Sequence, residues 1–198
     1  MSIAIGALTN GVTVKEMCGG YTIFGNNGLY SKPYSYTSVL DSKGNVLLQN
    51  TTKSTQAIGA DTAFIMNQLL QQNVQRDDGT GKDAKISNIK VGGKTGTTND
   101  HKDRWFCGIT LDYVGVVWFG YDIPKEIAYY SKENPSLMAW HAVMSKVEEN
   151  PKKTDFPSNG NVVSENFDNT TGYITAQGTE SGYYKATNLP TAPVGAAS

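Results

Sequence analysis

The chain has 198 residues, a net charge of −1 and a pI of about 6.1, so composition predicts no basic surface for nucleic acid or an anionic membrane. Hydrophobic residues make up 38% of the chain, and no apolar run approaches the length of a transmembrane helix. Eleven tyrosines and 21 glycines favour a protein rich in strands and turns over a helical bundle.

The first predicted elements are a short helix and a hairpin. The helix is expected within residues 12–24, "VTVKEMCGGYTIF". Residues 32–41 and 44–50 flank the pair Ser42-Lys43 and are rich in β-branched, aromatic and leucine side chains. This pattern predicts a hairpin at the periphery of the fold.

Residues 58–74 predict the first long helix. Asp61 suits its first turn, where the helix dipole favours a negative charge. Apolar residues recur along this segment at helical spacing: Ala63, Ile65, Met66, Leu69 and Leu70. One side of this helix is therefore expected to face the core.

Three strands are predicted after this helix. Residues 103–110 and 113–121 are rich in aromatic and β-branched residues, and only Leu111-Asp112 separates them. So short a connection predicts a tight antiparallel hairpin. Residues 87–97 form the third predicted strand, so the core is expected to be a three-stranded antiparallel sheet with helices before and after it.

The C-terminal part combines a helix with a polar extension. Residues 134–149 predict a helix in which Asn134 is the N-cap and Pro135 the first helical position. Its apolar stripe consists of Leu137, Trp140, Met144 and Val147. Residues 151–198 are rich in Asn, Thr, Gly and Pro, which predicts an extended appendage with one or two short strands and a disordered end.

Residues 91–100, "VGGKTGTTND", contain two overlapping motifs. Gly93-Lys94-Thr95 resembles the end of a phosphate-binding P-loop, but that motif requires a glycine where this chain has Asn88. The residues that follow favour a turn, whereas a P-loop needs a helix at this point. The motif is therefore interpreted as Lys-Thr-Gly-Thr on a strand.

A strand with this sequence can bind a carboxylate. Because side chains alternate along a strand, Thr95 and Thr97 are expected to point to the same side. Gly96 permits close approach of a substrate backbone, and Lys94 adds a cation. An edge strand also offers N–H groups to an extended peptide or an oxyanion. The alternative is that the two threonines merely suit a strand.

The segment "GGKTGTTNDHKDRWFCGITLDYVGVVWFGYD", residues 92–122, resembles the Lys-Thr-Gly strand and following hairpin of the penicillin-binding protein transpeptidase domain. Residues 3–47 resemble the segment that these proteins carry between their second and third motifs, and 61–74 the helix before the third. The end of the chain resembles the segment after the domain in bifunctional, class A members.

This resemblance implies an α+β fold of the serine β-lactamase and penicillin-binding transpeptidase type. Its antiparallel sheet would be flanked by helices and would be incomplete without an upstream half. Residues 1–150 would form the C-terminal half of the transpeptidase domain, and residues 151–198 a C-terminal appendage. No cofactor and no metal are implied.

The resemblance also implies roles for the motif residues. Lys94 would help to organise the nucleophilic serine and the serine of the second motif. Thr95 and Thr97 would bind the carboxylate of a D-Ala-D-Ala stem peptide, or of a β-lactam that mimics it. The backbone N–H of Thr97 would be an oxyanion donor, while Gly96 and Thr98 would line the cleft.

The nucleophile that acyl transfer requires is missing from its family position. The family uses the serine of S-x-x-K and an S-x-N motif, both upstream of Lys-Thr-Gly. Residues 87–90 match S-x-x-K, but they are expected to enter a strand, whereas the motif needs a helix face. Residues 164–166 match S-x-N but lie in the appendage. Both matches are interpreted as chance.

Two hypotheses follow. In the first, the chain is the Lys-Thr-Gly half of a serine D,D-transpeptidase, inactive alone, with an upstream half, stem peptide and β-lactams as partners. Its place would be the extracytoplasmic face of the bacterial cell membrane, with the anchor outside this chain. In the second, the chain is a non-catalytic module that binds cell-wall peptide or a partner protein.

An incomplete sheet is expected to leave an apolar face exposed. The residues on this predicted face are Trp105, Cys107, Ile109, Val114, Val116 and Trp118.

The other chemically notable side chains are assigned structural roles. Cys18 and Cys107 are expected to be buried, and His101 to be solvated; His141 should lie on a helix without a nucleophile nearby. The acidic pairs at 77–78 and 148–149 are expected to be solvated.

Overall fold

The computed structural model describes residues 11–127, 134–152, 156 and 159–192. The helices are α1 (Val14–Gly25), α2 (Ala60–Gln75) and α3 (Pro135–Val147), with a 3-10 turn at Lys82–Ala84. The strands are β1 (Leu29–Tyr30), β2 (Ser38–Leu40), β3 (Val46–Gln49), β4 (Thr55–Gln56), β5 (Gly92–Thr97), β6 (Asp103–Ile109), β7 (Val114–Gly120), β8 (Val162–Phe167) and β9 (Glu180–Lys185). None of the helices in these ranges is long and apolar enough to cross a membrane.

The central sheet has the order β5-β6-β7 and is antiparallel throughout, as predicted. The β6–β7 connection is tight, because the Thr110 N–H donates to the Tyr113 carbonyl at 2.9 Å. Strand β5 begins at Gly92, not at the predicted residue 87. The reason is a turn at residues 87–90, in which Asn88 has a φ of 68°.

One face of the sheet packs against α3. Phe106 is fully buried, and its ring meets Trp140 edge to face, with 5.1 Å between centroids. The indole of Trp140 lies over two glycines of the hairpin. A Cβ at Gly108 would come within 2.3 Å of the indole, and one at Gly115 within 2.7 Å. Both glycines therefore make room for the large side chain at the centre of the core.

The opposite face of the sheet packs against α1. Cys107 is buried, as predicted for that cysteine, and Ile109 is buried as well, so the prediction of an exposed apolar face is wrong at these two positions. A Cβ at Gly25, the last residue of α1, would lie 3.1 Å from Ile109, which shows how closely the helix approaches. The other four predicted residues are half-buried: Trp105, Val114, Val116 and Trp118. This face is thus only partly covered.

Helix α2 packs along β5 and buries polar as well as apolar side chains. Leu69, expected near the core, is 59% exposed, whereas Asn67 and Gln71 are buried. The Asn67 amide donates to the Phe24 carbonyl of α1 at 3.1 Å, and the Gln71 amide donates to Asn67 at 2.7 Å. Because these hydrogen bonds satisfy the amides, the core tolerates them.

Helix α3 begins as predicted, with Asn134 accepting the backbone N–H groups of residues 136 and 137. Its predicted stripe is buried except for Val147, which is 46% exposed. The prediction of a solvated Glu148 is wrong, because this side chain is 5% exposed. Glu148 lies four residues after the buried Met144, so both point to the same side of the final turn.

The appendage contains the antiparallel β8–β9 hairpin, which agrees with the predicted short strands. The hairpin packs against α2. The ring of Tyr183 meets Phe64 edge to face at 5.8 Å between centroids, and Lys185 lies 3.2 Å from Asp61. The predicted disordered end falls on residues 193–198, which lie outside the described residues. The domain boundary at residue 150 stays a prediction.

Candidate active site

Strand β5 carries the Lys-Thr-Gly-Thr motif at the edge of the central sheet. In the part of the chain that the structure describes, β5 pairs with β6 alone. The strand is buried at Gly92 and Gly93 and becomes accessible from Lys94 onward. The tertiary structure therefore presents the motif itself and hides the residues before it.

The motif side chains alternate between two faces. Lys94 and Gly96 lie opposite Cys107 and Trp105 in the register with β6, on the face that α1 partly covers. The ammonium of Lys94 donates to the carbonyl of Thr95 at 2.9 Å. Among the described residues, no carboxylate lies within ion-pair distance of this ammonium. The cation is thus available to a ligand or to a further catalytic group.

Thr95 belongs to a short hydrogen-bond network on the other face. Its hydroxyl lies 2.8 Å from the hydroxyl of Thr80, which in turn lies 3.1 Å from Oδ1 of Asn73. The Nδ2 of Asn73 donates to the carbonyl of Gly93 at 2.8 Å, which ties the network to the start of β5. Neither Thr80 nor Asn73 is predicted from the sequence as part of the site.

Thr97 lies on the same face as Thr95 and contacts Arg104. The two residues are partners in the β5–β6 register, and Nη1 of Arg104 donates to the Thr97 hydroxyl at 3.2 Å. Arg104 is not among the site residues predicted from the sequence. A signal was available, because a hairpin that pairs β5 with β6 places a residue of β6 opposite each threonine.

Comparison with known proteins identifies the family to which the chain belongs. Residues 1–165 match the model of the penicillin binding protein transpeptidase domain. The chain belongs to this transpeptidase family. The resemblance deduced from the Lys-Thr-Gly strand and its hairpin is therefore confirmed, and so is the α+β fold class.

Individual relatives extend the match over most of the chain. Penicillin-binding protein 4 of Bacillus subtilis (strain 168) is 39% identical over 141 residues, which cover 71% of this chain and 22% of the relative. Penicillin-binding protein 1A of Clostridium novyi (strain NT) is 35% identical over 174 residues, or 87% of this chain and 20% of the relative. The chain thus spans about a fifth of the length of these relatives.

Among solved structures, penicillin-binding protein 1A from Haemophilus influenzae superposes with a TM-score of 0.77. The match covers 91% of this chain and 33% of that one, at 22% sequence identity. A second match is the D,D-transpeptidase domain of a peptidoglycan glycosyltransferase from Eggerthella lenta, with a TM-score of 0.55, 28% identity and coverage of 71% and 33%. The first, at this low identity, speaks for the fold alone.

Thr98, the last predicted site residue, organises the loop that follows the Lys-Thr-Gly-Thr sequence. Its hydroxyl oxygen accepts the backbone N–H groups of Lys102 and Asp103, each at 3.0 Å. His101 in this loop is exposed, as predicted. The ammonium of Lys102 donates to Asp100 at 2.8 Å and holds the pKa of that carboxyl below its usual range. The pair therefore stays ionised at neutral pH.

Neither the S-x-x-K match at residues 87–90 nor the S-x-N match at residues 164–166 lies where it could act in catalysis. Residues 87–90 form a turn outside any helix, so Ser87 and Lys90 do not share a helical face. Ser164 lies on β8, opposite Tyr183 of β9, and so belongs to the appendage hairpin. Asn166 accepts a hydrogen bond from Ser181 at 2.8 Å.

His141 lies on α3, as predicted, and a hydroxyl lies near its ring. The Oγ of Ser145, one turn along α3, lies 3.3 Å from Nε2 of His141. The same nitrogen lies 3.0 Å from the carbonyl of Lys85, which can only accept. Nε2 therefore carries the proton and cannot act as a base toward Ser145. The pair is a helix contact and not a catalytic dyad.

The two cysteines are also poor nucleophiles. Burial raises the pKa of Cys107 to about 12. Cys18 is half-buried, less than predicted, and burial raises its pKa as well. Its thiol faces the carbonyl of Val114 at 3.6 Å. Because the thiolate is the reactive form, neither cysteine is a candidate nucleophile.

Cys107 is expected to react with iodoacetamide at pH 8 at least about 100-fold more slowly than an unperturbed cysteine, because so little of it is thiolate. The measurement is the rate of alkylation of the native chain, followed by peptide mass spectrometry. A Cys18→Ser variant isolates Cys107, and the unfolded chain provides the fast reference. Native labelling as fast as that of the unfolded chain would refute the burial of this thiol.

Proposed function

We propose that this chain supplies the Lys-Thr-Gly half of a serine D,D-transpeptidase that cross-links peptidoglycan. The observation that carries the proposal is the edge strand β5, whose motif residues are accessible and whose second side has no strand partner in the described part of the chain. Membership of the transpeptidase family supports the reaction class.

The proposed substrate is an extended stem peptide that ends in D-Ala-D-Ala, and β-lactams would bind as its mimics. Thr95 and Thr97 lie on one face at alternate positions of the strand, a spacing suited to a carboxylate or to the backbone of an extended peptide. Arg104 places a guanidinium against the hydroxyl of Thr97, which favours an anionic group there. The backbone N–H of Thr97 is the proposed oxyanion donor.

Lys94 would act in proton transfer and charge stabilisation at the nucleophilic serine. Its side chain is exposed, and its only hydrogen bond to a described residue goes to the adjacent carbonyl of Thr95. Because the Lys94 ammonium makes only this hydrogen bond among the described residues, it can turn to a serine hydroxyl that enters the site. Thr98 and Gly96 would line the cleft, with the loop after Thr98 at its rim.

An upstream half of the domain would carry the nucleophilic serine. Three features of the described residues support such a partner. The outer edge of β7 pairs with no strand, and the face that bears Trp105 and Trp118 is only partly covered. In addition, the β2–β3 hairpin exposes a run of apolar side chains: Val39, Leu40, Val46, Leu47 and Leu48.

By itself the chain is predicted to be inactive, because the described residues provide no serine and lysine on one helical face. The complete protein would work at the extracytoplasmic face of the bacterial cell membrane, where peptidoglycan is cross-linked.

The test is the intact mass of each chain after the two halves are expressed together and exposed to benzylpenicillin. We expect a stable adduct on the upstream half and none on this chain. An adduct on this chain would mean that it carries a nucleophile of its own. If the halves assemble but neither is modified, the non-catalytic binding module becomes the better description.

A further inference from the structure

The network behind Thr95 has a direction that its chemistry determines. It starts at Asn73 in the last turn of α2, whose side-chain amide lies 2.8 Å from the carbonyl of Gly93. A carbonyl only accepts, so the amide group that faces it must be the NH₂. The other end of the amide, Oδ1, is consequently an acceptor.

This acceptor sets the orientation of the next hydroxyl. The Oγ1 of Thr80 lies 3.1 Å from Oδ1 of Asn73 and has one proton, which it donates there. The oxygen of Thr80 is then left as an acceptor. It lies 2.8 Å from the hydroxyl of Thr95, so Thr95 donates its own single proton to Thr80.

The hydroxyl of Thr97, unlike that of Thr95, accepts its hydrogen bond from the protein. Nη1 of Arg104 donates to its hydroxyl oxygen at 3.2 Å, and a guanidinium has no acceptor. This contact occupies a lone pair of Thr97 and leaves its proton for another partner. The two threonines share one face of β5, yet one directs its proton into the protein and the other keeps it for a ligand.

We propose that Thr80, oriented by Asn73, is a positioning residue that holds the Thr95 proton in a hydrogen bond within the protein, so that this proton is not directed at the ligand. A carboxylate can therefore accept a hydrogen bond from Thr97, whose oxygen is already contacted by Arg104. To accept a second hydrogen bond, from Thr95, it must compete with Thr80 for the Thr95 proton. This inference rests on the proposed function, in which the carboxylate binds at these threonines. It assigns to residues outside the motif a role in setting ligand affinity.

The experiment uses the complete transpeptidase domain, with the upstream half present, and measures acylation by benzylpenicillin. The replacement Thr80→Val keeps the shape of the side chain and removes the acceptor. We expect the dissociation constant of the complex that precedes acylation to fall about 3- to 10-fold, because one competing hydrogen bond is lost. The acylation rate constant within the complex should change little, and Thr80→Ser should behave like the wild type.

Two further measurements separate this effect from a general change in structure. In a Thr95→Val background, Thr80→Val should no longer change the affinity, as a double-mutant cycle requires of coupled residues. The methyl ester of the same β-lactam, which lacks the carboxylate charge, should bind both Thr80 forms alike.

The outcomes distinguish this inference from the function on which it rests. Unchanged or weaker binding of benzylpenicillin by Thr80→Val would overturn the inference while wild-type acylation upholds the proposed function. If the wild-type domain is never acylated, the proposed function fails and the inference fails with it.

Discussion

Replacement of Lys94 with methionine in the complete domain is expected to slow acylation by benzylpenicillin by about 100-fold or more. Methionine keeps the length of the side chain and removes its charge. A group that assists proton transfer at a nucleophile typically contributes at least this factor. Among the described residues the exposed ammonium donates a hydrogen bond only to the carbonyl of Thr95, so little structure depends on it. The measurement is the second-order rate constant of acylation.

Lys43→Met is the matched control for this change. Lys43 lies in the turn between β2 and β3, so its replacement alters the net charge equally without touching β5. The control should acylate at the wild-type rate. If Lys94→Met acylates as fast as Lys43→Met, the assignment of Lys94 to the catalytic site is wrong.

Replacement of Trp140 with alanine is expected to lower the free energy of unfolding of the complete domain by about 3–5 kcal/mol. The indole is 1% exposed, packs edge to face on Phe106 and covers Gly108 and Gly115. Its removal leaves a cavity between α3 and the sheet that two glycines cannot fill. The measurement is equilibrium unfolding in denaturant, monitored by circular dichroism.

Met138→Ala, on the same helix, provides the comparison for Trp140→Ala. Met138 is 50% exposed, so its loss should cost less than about 1 kcal/mol. Equal destabilisation by the two changes would contradict the central place of Trp140 in the core. Since β6 also pairs with β5, the Trp140→Ala variant should bind β-lactam more weakly as it unfolds.

Local sequence was sufficient to predict most of the helices and strands. The two-residue connection at Leu111-Asp112 and the aromatic and β-branched runs beside it predicted the hairpin, because strand propensity and turn length are local properties. Helical periodicity located all three helices within a few residues of their ends. The start of β5 was misplaced, because nothing in residues 87–90 distinguishes a turn from a strand entry until Asn88 adopts positive φ.

Burial along the helices was predicted less well. Periodicity states which residues share a face, but it does not state how the neighbouring elements use each position. Asn67 is buried since the Phe24 carbonyl of α1 accepts its hydrogen bond, whereas Leu69 points to solvent. Glu148 is buried because the end of α3 turns it inward with Met144. These outcomes depend on contacts between elements.

The sequence by itself determined the family, the α+β fold and the identity of the motif residues Lys94 to Thr98, because all of these are encoded in contiguous residues. Only the tertiary structure decided which groups surround that motif. Arg104 meets Thr97 through strand register, and Thr80 and Asn73 meet Thr95 because α2 packs along β5. The direction of a hydroxyl proton depends on such partners. Thr80 lies 15 residues from Thr95 in the sequence, and no local pattern specifies that the two meet.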